Sequence, residues 1–184
     1  MKTIENSFEH TYEVKKSKFI AYFVPISEFK GLQNKLREQH PKSRHVVYAL
    51  RYLNEFEQIV ENSSDDGEPK GSSAPPALNV LRGEEMINVA VLIVRYFGGV
   101  KLGIGGLVRA YGTAVKEVIA NSNIVLYEKM LDYSFTSTYS QVQRVEYLLK
   151  KLEIVAIERN FLADGVDWKI EATKERLNKF KEDM

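Results

Sequence analysis

No cysteine occurs among the 184 residues. Disulfide bonds, thiolate catalysis and thiolate metal ligation are therefore excluded, and a reducing compartment is the expectation. Long apolar runs are also missing. The longest, residues 89–94, is far too short to span a bilayer. The first residues hold charges early and no apolar signal-peptide core, so the sequence reads as cytoplasmic with no membrane partner. Excess charge is lacking too: the formal net charge of +1 argues against a broad electrostatic footprint on nucleic acid but leaves room for a local basic patch. Familiar nucleotide motifs are absent. The segment GGVKLG is not followed by Lys and Ser or Thr, as a P-loop requires. Residues 103–108, GIGGLV, lack the last Gly or Ala of a dinucleotide fingerprint. No cofactor is expected.

One further scarcity is local. No Asp or Glu stands between Glu85 and Glu117, yet Arg95, Lys101, Arg109 and Lys116 do. The same stretch contains RYFGGVKLGIGGLVRAY, with Gly98, Gly99, Gly103, Gly105 and Gly106, five of the chain's eleven glycines. It reads as strand, glycine loop and helix. A helix start exposes free amide N–H groups and partial positive charge, which suits an anion. Arg95, Lys101, Arg109 and the amides of 98–106 are thus candidate phosphate or nucleic-acid ligands, with Tyr111 beside them. Tyr96, Phe97 and Tyr111 interleave with the basic residues in the manner of surfaces that bind unpaired bases, although core packing is the ordinary role of each. Tight strand–helix packing alone is the plainer use of the glycines.

A second candidate is Ser64-Asp65-Asp66-Gly67-Glu68-Pro69. Asp65, Asp66 and Glu68 are candidates to gather a hard cation or to act as an acid–base pair. The spacing misses the EF-hand pattern and no His stands nearby in sequence, so no metal is assigned. Alternatively these carboxylates cap a helix or pair with Arg95, Lys101 and Arg109. His45 is a candidate proton-transfer group. A hydrolase built on Ser63, Ser64, Ser72 or Ser73 would need the fold to bring His45 to one of them, since no nucleophile-elbow pattern is present.

Hydrophobic patterning predicts an α+β chain. Two strands fall within 8–26, then a helix opened by Ser27 and closed by Pro41, a strand at 44–53 and a hairpin partner at 56–60. A polar loop at 61–76, a short helix at 77–82, a buried strand at 89–96 and a strand at 123–127 follow. The glycine loop leads into a helix striped by Leu107, Tyr111, Ala114, Val115 and Val118. Residues 129–184 read as β-α-β-β-α, a split βαβ or ferredoxin-like plait without its last strand, with Asp164-Gly165 as a hairpin turn. Two domains are expected, 1–128 and 129–184.

The motifs SSDDGEPKGSSAPP and RYFGGVKLGIGGLVRAYG, with KKSKFIAYFVPI, the segment around His45 and YSQVQRVEYLL, resemble the IMPACT/YigZ family over nearly the whole chain. The resemblance implies a first domain like the second domain of ribosomal protein S5. It implies a second domain like the last, ferredoxin-like domain of elongation factor G. Those relations imply a translation-linked partner, either RNA, the ribosome or a regulatory protein. Eukaryotic members of the family act by protein–protein binding. Three readings follow: an RNA- or ribosome-binding translation factor, a protein-binding translation regulator, and a hydrolase using the acidic loop.

Overall fold

The computed structural model describes every residue from Met1 to Met184, in two compact units, Met1–Tyr127 and Glu128–Met184. In chain order the first unit holds β1 (Lys2–Ile4), β2 (Phe8–Val14), β3 (Ser17–Pro25), α1 (Phe29–Gln39), β4 (His45–Leu53) and β5 (Ile59–Ser64). Then come α2 (Ala74–Gly83), β6 (Val89–Tyr96), α3 (Gly103–Ala120) and β7 (Ile124–Leu126). Five of the strands form one sheet in the order β2-β3-β6-β4-β5, antiparallel throughout. The unbroken apolar run of β6 puts it at the centre, because a strand covered on both faces has no side for polar residues. Val89, Val91 and Ile93 join the core beneath α2 and α3, while Ala90, Leu92 and Val94 join Leu36 of α1 on the opposite face. The α3 stripe Leu107, Tyr111, Ala114, Val115 and Val118 is wholly buried.

Several local expectations are corrected. Ser27 does not cap α1; residues 26–28 form a 3-10 turn with no side-chain cap. The hairpin partner of β4 is 59–64 rather than 56–60, so the polar loop shrinks to 65–73. Helix α2 begins three residues earlier than predicted, at Ala74. Pro75 and Pro76 lie in its first turn, where a missing N–H breaks no intrahelical bond. The sequence reading missed β1, which pairs with β7 from the far end of the unit. Between β2 and β3 both Lys15 (φ 47°) and Lys16 (φ 65°) are left-handed, as a two-residue hairpin turn demands.

The second unit comprises β8 (Met130–Ser137), α4 (Val142–Lys151), β9 (Ala156–Phe161), β10 (Val166–Thr173) and α5 (Lys174–Asp183). Strand β10 lies between β8 and β9, antiparallel to both, which is the split βαβ arrangement. Helices α4 and α5 bury Val145, Leu148, Leu149, Leu177 and Phe180 against Trp168 and Ile170. The indole N–H of Trp168 donates to Ser137 Oγ at 2.9 Å, so its burial leaves no polar atom unpaired. The Thr173 hydroxyl caps α5 by accepting from the Arg176 amide. In this chain no strand pairs with the outer edge of β8.

Candidate anion-binding cleft

The acidic loop joins β5 to α2, and its three carboxylates are committed to three different tasks. Asp65 accepts from the Gly71, Ser73 and Ala74 amides (2.8, 3.2 and 2.8 Å) and from the Ser73 hydroxyl (2.6 Å). It thereby caps the start of α2, which has no N-cap side chain of its own. Burial pushes the Asp65 carboxyl up, but the Ser73 hydroxyl and the three amides together outweigh it and leave the group below the usual carboxylate range. Asp66, left-handed at φ 44°, accepts from the Val46 amide at 2.7 Å and from Arg37 at 2.8 Å. Glu68 is buried and accepts from Arg95 at 2.7 and 3.0 Å and from the Tyr111 hydroxyl at 2.8 Å. The carboxylates therefore do not converge, and no group of three or more acidic or histidine side chains is placed to hold a metal ion.

His45 is distant from this loop in sequence and adjacent to it in space. Its Nδ1–H donates to the Asp66 carbonyl at 2.7 Å, which leaves Nε2 facing Glu68 at 3.9 Å. The fold thus brings to the acidic loop a His that no sequence neighbour supplies. Three of the four candidate serines are occupied elsewhere, and Ser63 makes no side-chain hydrogen bond: Ser72 donates to the Pro69 carbonyl, Ser73 to Asp65, and Ser64 accepts from the Asp66 amide. None of them is hydrogen-bonded to His45, so the serine–histidine arrangement of a hydrolase is not assembled.

Arg95 leaves β6 with its side chain only 11% exposed, its guanidinium held by Glu68 and lying against the rings of Phe19 (5.7 Å to the centroid) and Phe97 (5.9 Å). It is a neutralised internal cation rather than a free ligand. Tyr111 is fully buried on α3, and burial together with the charge of Glu68 raises its phenol far above the ordinary value. Tyr96 donates or accepts at His40 Nδ1, 2.7 Å away. Gly98 has a packing role: a Cβ there would sit 2.1 Å from the Lys16 backbone in the β2–β3 turn. Gly103 (φ 72°) supplies the left-handed backbone that lets the chain enter α3. Gly99 is exposed in the loop, while Gly105 and Gly106 lie in the first turn of α3. That turn carries no capping side chain and no acidic residue.

Beside it opens a cleft of about 700 Å³ whose lining includes Lys42, Arg44, His45, Lys101, Phe97 and Ile104. Lys42, Arg44 and Lys101 are exposed and make no ion pair or side-chain hydrogen bond. Glu68 is the one acid at the wall, and Arg95 neutralises it. Of the three cations predicted to act together, Lys101 lines the cleft, Arg95 is internally paired, and Arg109 is exposed on α3 outside the lining. Sequence reasoning missed Lys42 and Arg44. Their position directly before His45 was the available signal.

Residues 15–119 match the model of the Impact N-terminal domain, a span that contains the entire cleft lining. An IMPACT family member of Haemophilus influenzae is 31% identical over 158 residues, covering 83% of this chain and 75% of that protein. The chain belongs to the IMPACT family. The family member YvyE of Bacillus subtilis is 29% identical over 185 residues, covering 99% of this IMPACT protein and 84% of YvyE. A solved structure described only as that of a hypothetical protein superposes with a TM-score of 0.65 at 26% identity. It covers 98% of this chain and 89% of its own.

Proposed function

We propose that this IMPACT family member is a non-enzymatic, translation-associated factor that binds RNA, free or within the ribosome, through the cleft at the start of α3. One observation carries the reading. The uncapped, acid-free first turn of α3 faces a cleft whose unpaired side-chain charges, Lys42, Arg44 and Lys101, are all positive. Backbone amides at a helix start and convergent cations are complementary to phosphate oxygens. The translation link rests on the resemblance of the two units to parts of ribosomal protein S5 and elongation factor G. No helix is long and apolar enough to cross a membrane, and a cytoplasmic place of action belongs to the proposal. The hydrolase alternative draws no support from the acidic loop, whose carboxylates cap α2, bind β4 and neutralise Arg95.

RNA binding measured against salt concentration tests the proposal. Each lost phosphate contact lowers the logarithmic salt slope by roughly 0.7 for a single strand and 0.9 for a duplex. Lys101→Ala and Arg44→Ala are each expected to weaken binding and to flatten the slope by about that amount. Binding and slope untouched in both variants would refute the assignment. A partner captured after nuclease treatment and held at high salt would favour the protein-binding alternative instead.

A further inference from the structure

We infer that the cleft takes an unpaired nucleotide, with its base stacked on Phe97 and its phosphate at the first turn of α3, so that the ligand is single-stranded RNA. The inference rests on the RNA reading above and deepens it. Three aromatic residues accompany the basic stretch, and folding treats them differently. Tyr111 is buried and Tyr96 is tied to His40, whereas Phe97 is 60% exposed at the cleft wall. A ring left in water beside a cleft is apolar area that a ligand can cover.

The ring is also held in position. Arg95 lies 5.9 Å from its centroid, and Glu68 fixes that guanidinium through two hydrogen bonds. Ile104, on the first turn of α3, is 65% exposed and lines the same cleft. One wall therefore offers apolar and aromatic surface, and Lys42, Arg44 and Lys101 offer charge. An unpaired nucleotide carries both complements, a π-face and a phosphate. A duplex keeps its base faces stacked inside, which would leave Phe97 and Ile104 in water. The cleft volume, about 700 Å³, is in the range that holds a ligand of nucleotide size.

The test titrates the full-length protein with a fluorescent oligoadenylate of about ten nucleotides, single-stranded or paired with oligouridylate, at several salt concentrations. Native protein is expected to prefer the single strand. Phe97→Ala should weaken that binding roughly five- to 150-fold with the salt slope unchanged, because stacking releases no counterions. Phe97→Trp should retain binding and show indole quenching as the base stacks. Lys101→Ala should instead flatten the slope by about 0.7. Circular dichroism should show all three variants folded, since each side chain is exposed. Unchanged affinity in Phe97→Ala, with a flattened slope in Lys101→Ala, overturns the stacking inference and leaves the phosphate reading standing. Duplex binding at least as tight as single-strand binding overturns it as well. So does equal competition by polyglutamate of matched charge, which would assign the cleft to acidic polymers in general. If native protein binds neither form, the RNA reading falls and this inference with it.

Discussion

Replacing Glu68 by alanine is the sharpest perturbation of the site's frame. Glu68 accepts two hydrogen bonds from Arg95 and one from Tyr111, and both donors depend on it. The Arg95 side chain is 11% exposed and its buried Nε already lacks a partner. An arginine cannot escape by losing its proton. Removing one member of a buried ion pair costs about 3–5 kcal/mol, and a buried hydroxyl left without an acceptor about 1–3 kcal/mol. Because one carboxylate serves both donors the losses do not simply add, and about 4–6 kcal/mol is expected for Glu68→Ala. Glu68→Gln keeps one carbonyl acceptor for Tyr111 and Arg95 to share, and loses the charge and the second Arg95 hydrogen bond, so about 1.5–3 kcal/mol is expected. Replacing the whole cluster with Glu68→Leu, Arg95→Met and Tyr111→Phe should recover most of the loss, since no buried polar group is then left unpaired. Urea unfolding followed by circular dichroism gives these differences, and amide hydrogen exchange in β6 assigns them to the first unit. Trp168 belongs to the second unit, so its fluorescence follows that unit instead. Glu68→Ala within about 1 kcal/mol of native, or Glu68→Gln as damaging as Glu68→Ala, would mean that Arg95 and Tyr111 do not depend on this carboxylate.

Further outcomes follow from the same geometry. Asp65→Ala removes the cap of α2 and should cost about 1–2 kcal/mol in urea unfolding. Asp65 and Glu61 both have lowered pKa values: Asp65 from its hydrogen bonds against the opposing effect of burial, and Glu61 chiefly from the Arg82 hydrogen bond. A depressed folded pKa means that the unfolded chain binds more protons. Their contribution is therefore present above about pH 4 and lost as pH falls, so acid unfolding of Asp65→Asn should show a weaker pH dependence. The raised pKa of Tyr111 works in the opposite direction, its contribution present below about pH 10 and lost as pH rises. Absorbance titration should find this one of the ten tyrosines ionising only with alkaline unfolding, and Tyr111→Phe should remove that component. Finally, Gly98→Ala must displace the Lys16 backbone and should cost about 1–3 kcal/mol. Gly112→Ala, inside α3 with nothing near its added Cβ, should stabilise by about 0.5–1 kcal/mol by the same assay.

Where a feature depends on residues close in sequence, it could be read in advance. The apolar run of β6 and the buried stripe of α3 arise from local periodicity, and the β9–β10 hairpin lies where Asp164-Gly165 marks it, although Gly165 is not left-handed and instead makes room for the Ser137 carbonyl. The split βαβ order of the second unit follows from a short run of such elements. The site was less legible because its pairings span the chain. Arg95 meets Glu68 across 27 positions and Tyr111 meets it across 43. Of the two roles left open for Arg95, phosphate ligand or partner of the acidic loop, folding selects the second. Lys42 and Arg44 arrive beside Lys101 because β4 pairs with β6, with His45 opposite Arg95. Strand β1 was missed because three residues carry little pattern and their partner lies more than a hundred positions away.

Phosphate oxygens are expected to meet the first turn of α3 and the cations around it. Titrating unlabelled single-stranded RNA into ¹⁵N-labelled protein locates the contact directly by NMR. The amide signals of Gly103, Ile104, Gly105 and Gly106 are predicted to move in step with saturation, together with those of Arg44, His45 and Lys101. RNA that saturates the protein while these signals stay still, with the changes confined to other surfaces, would contradict it.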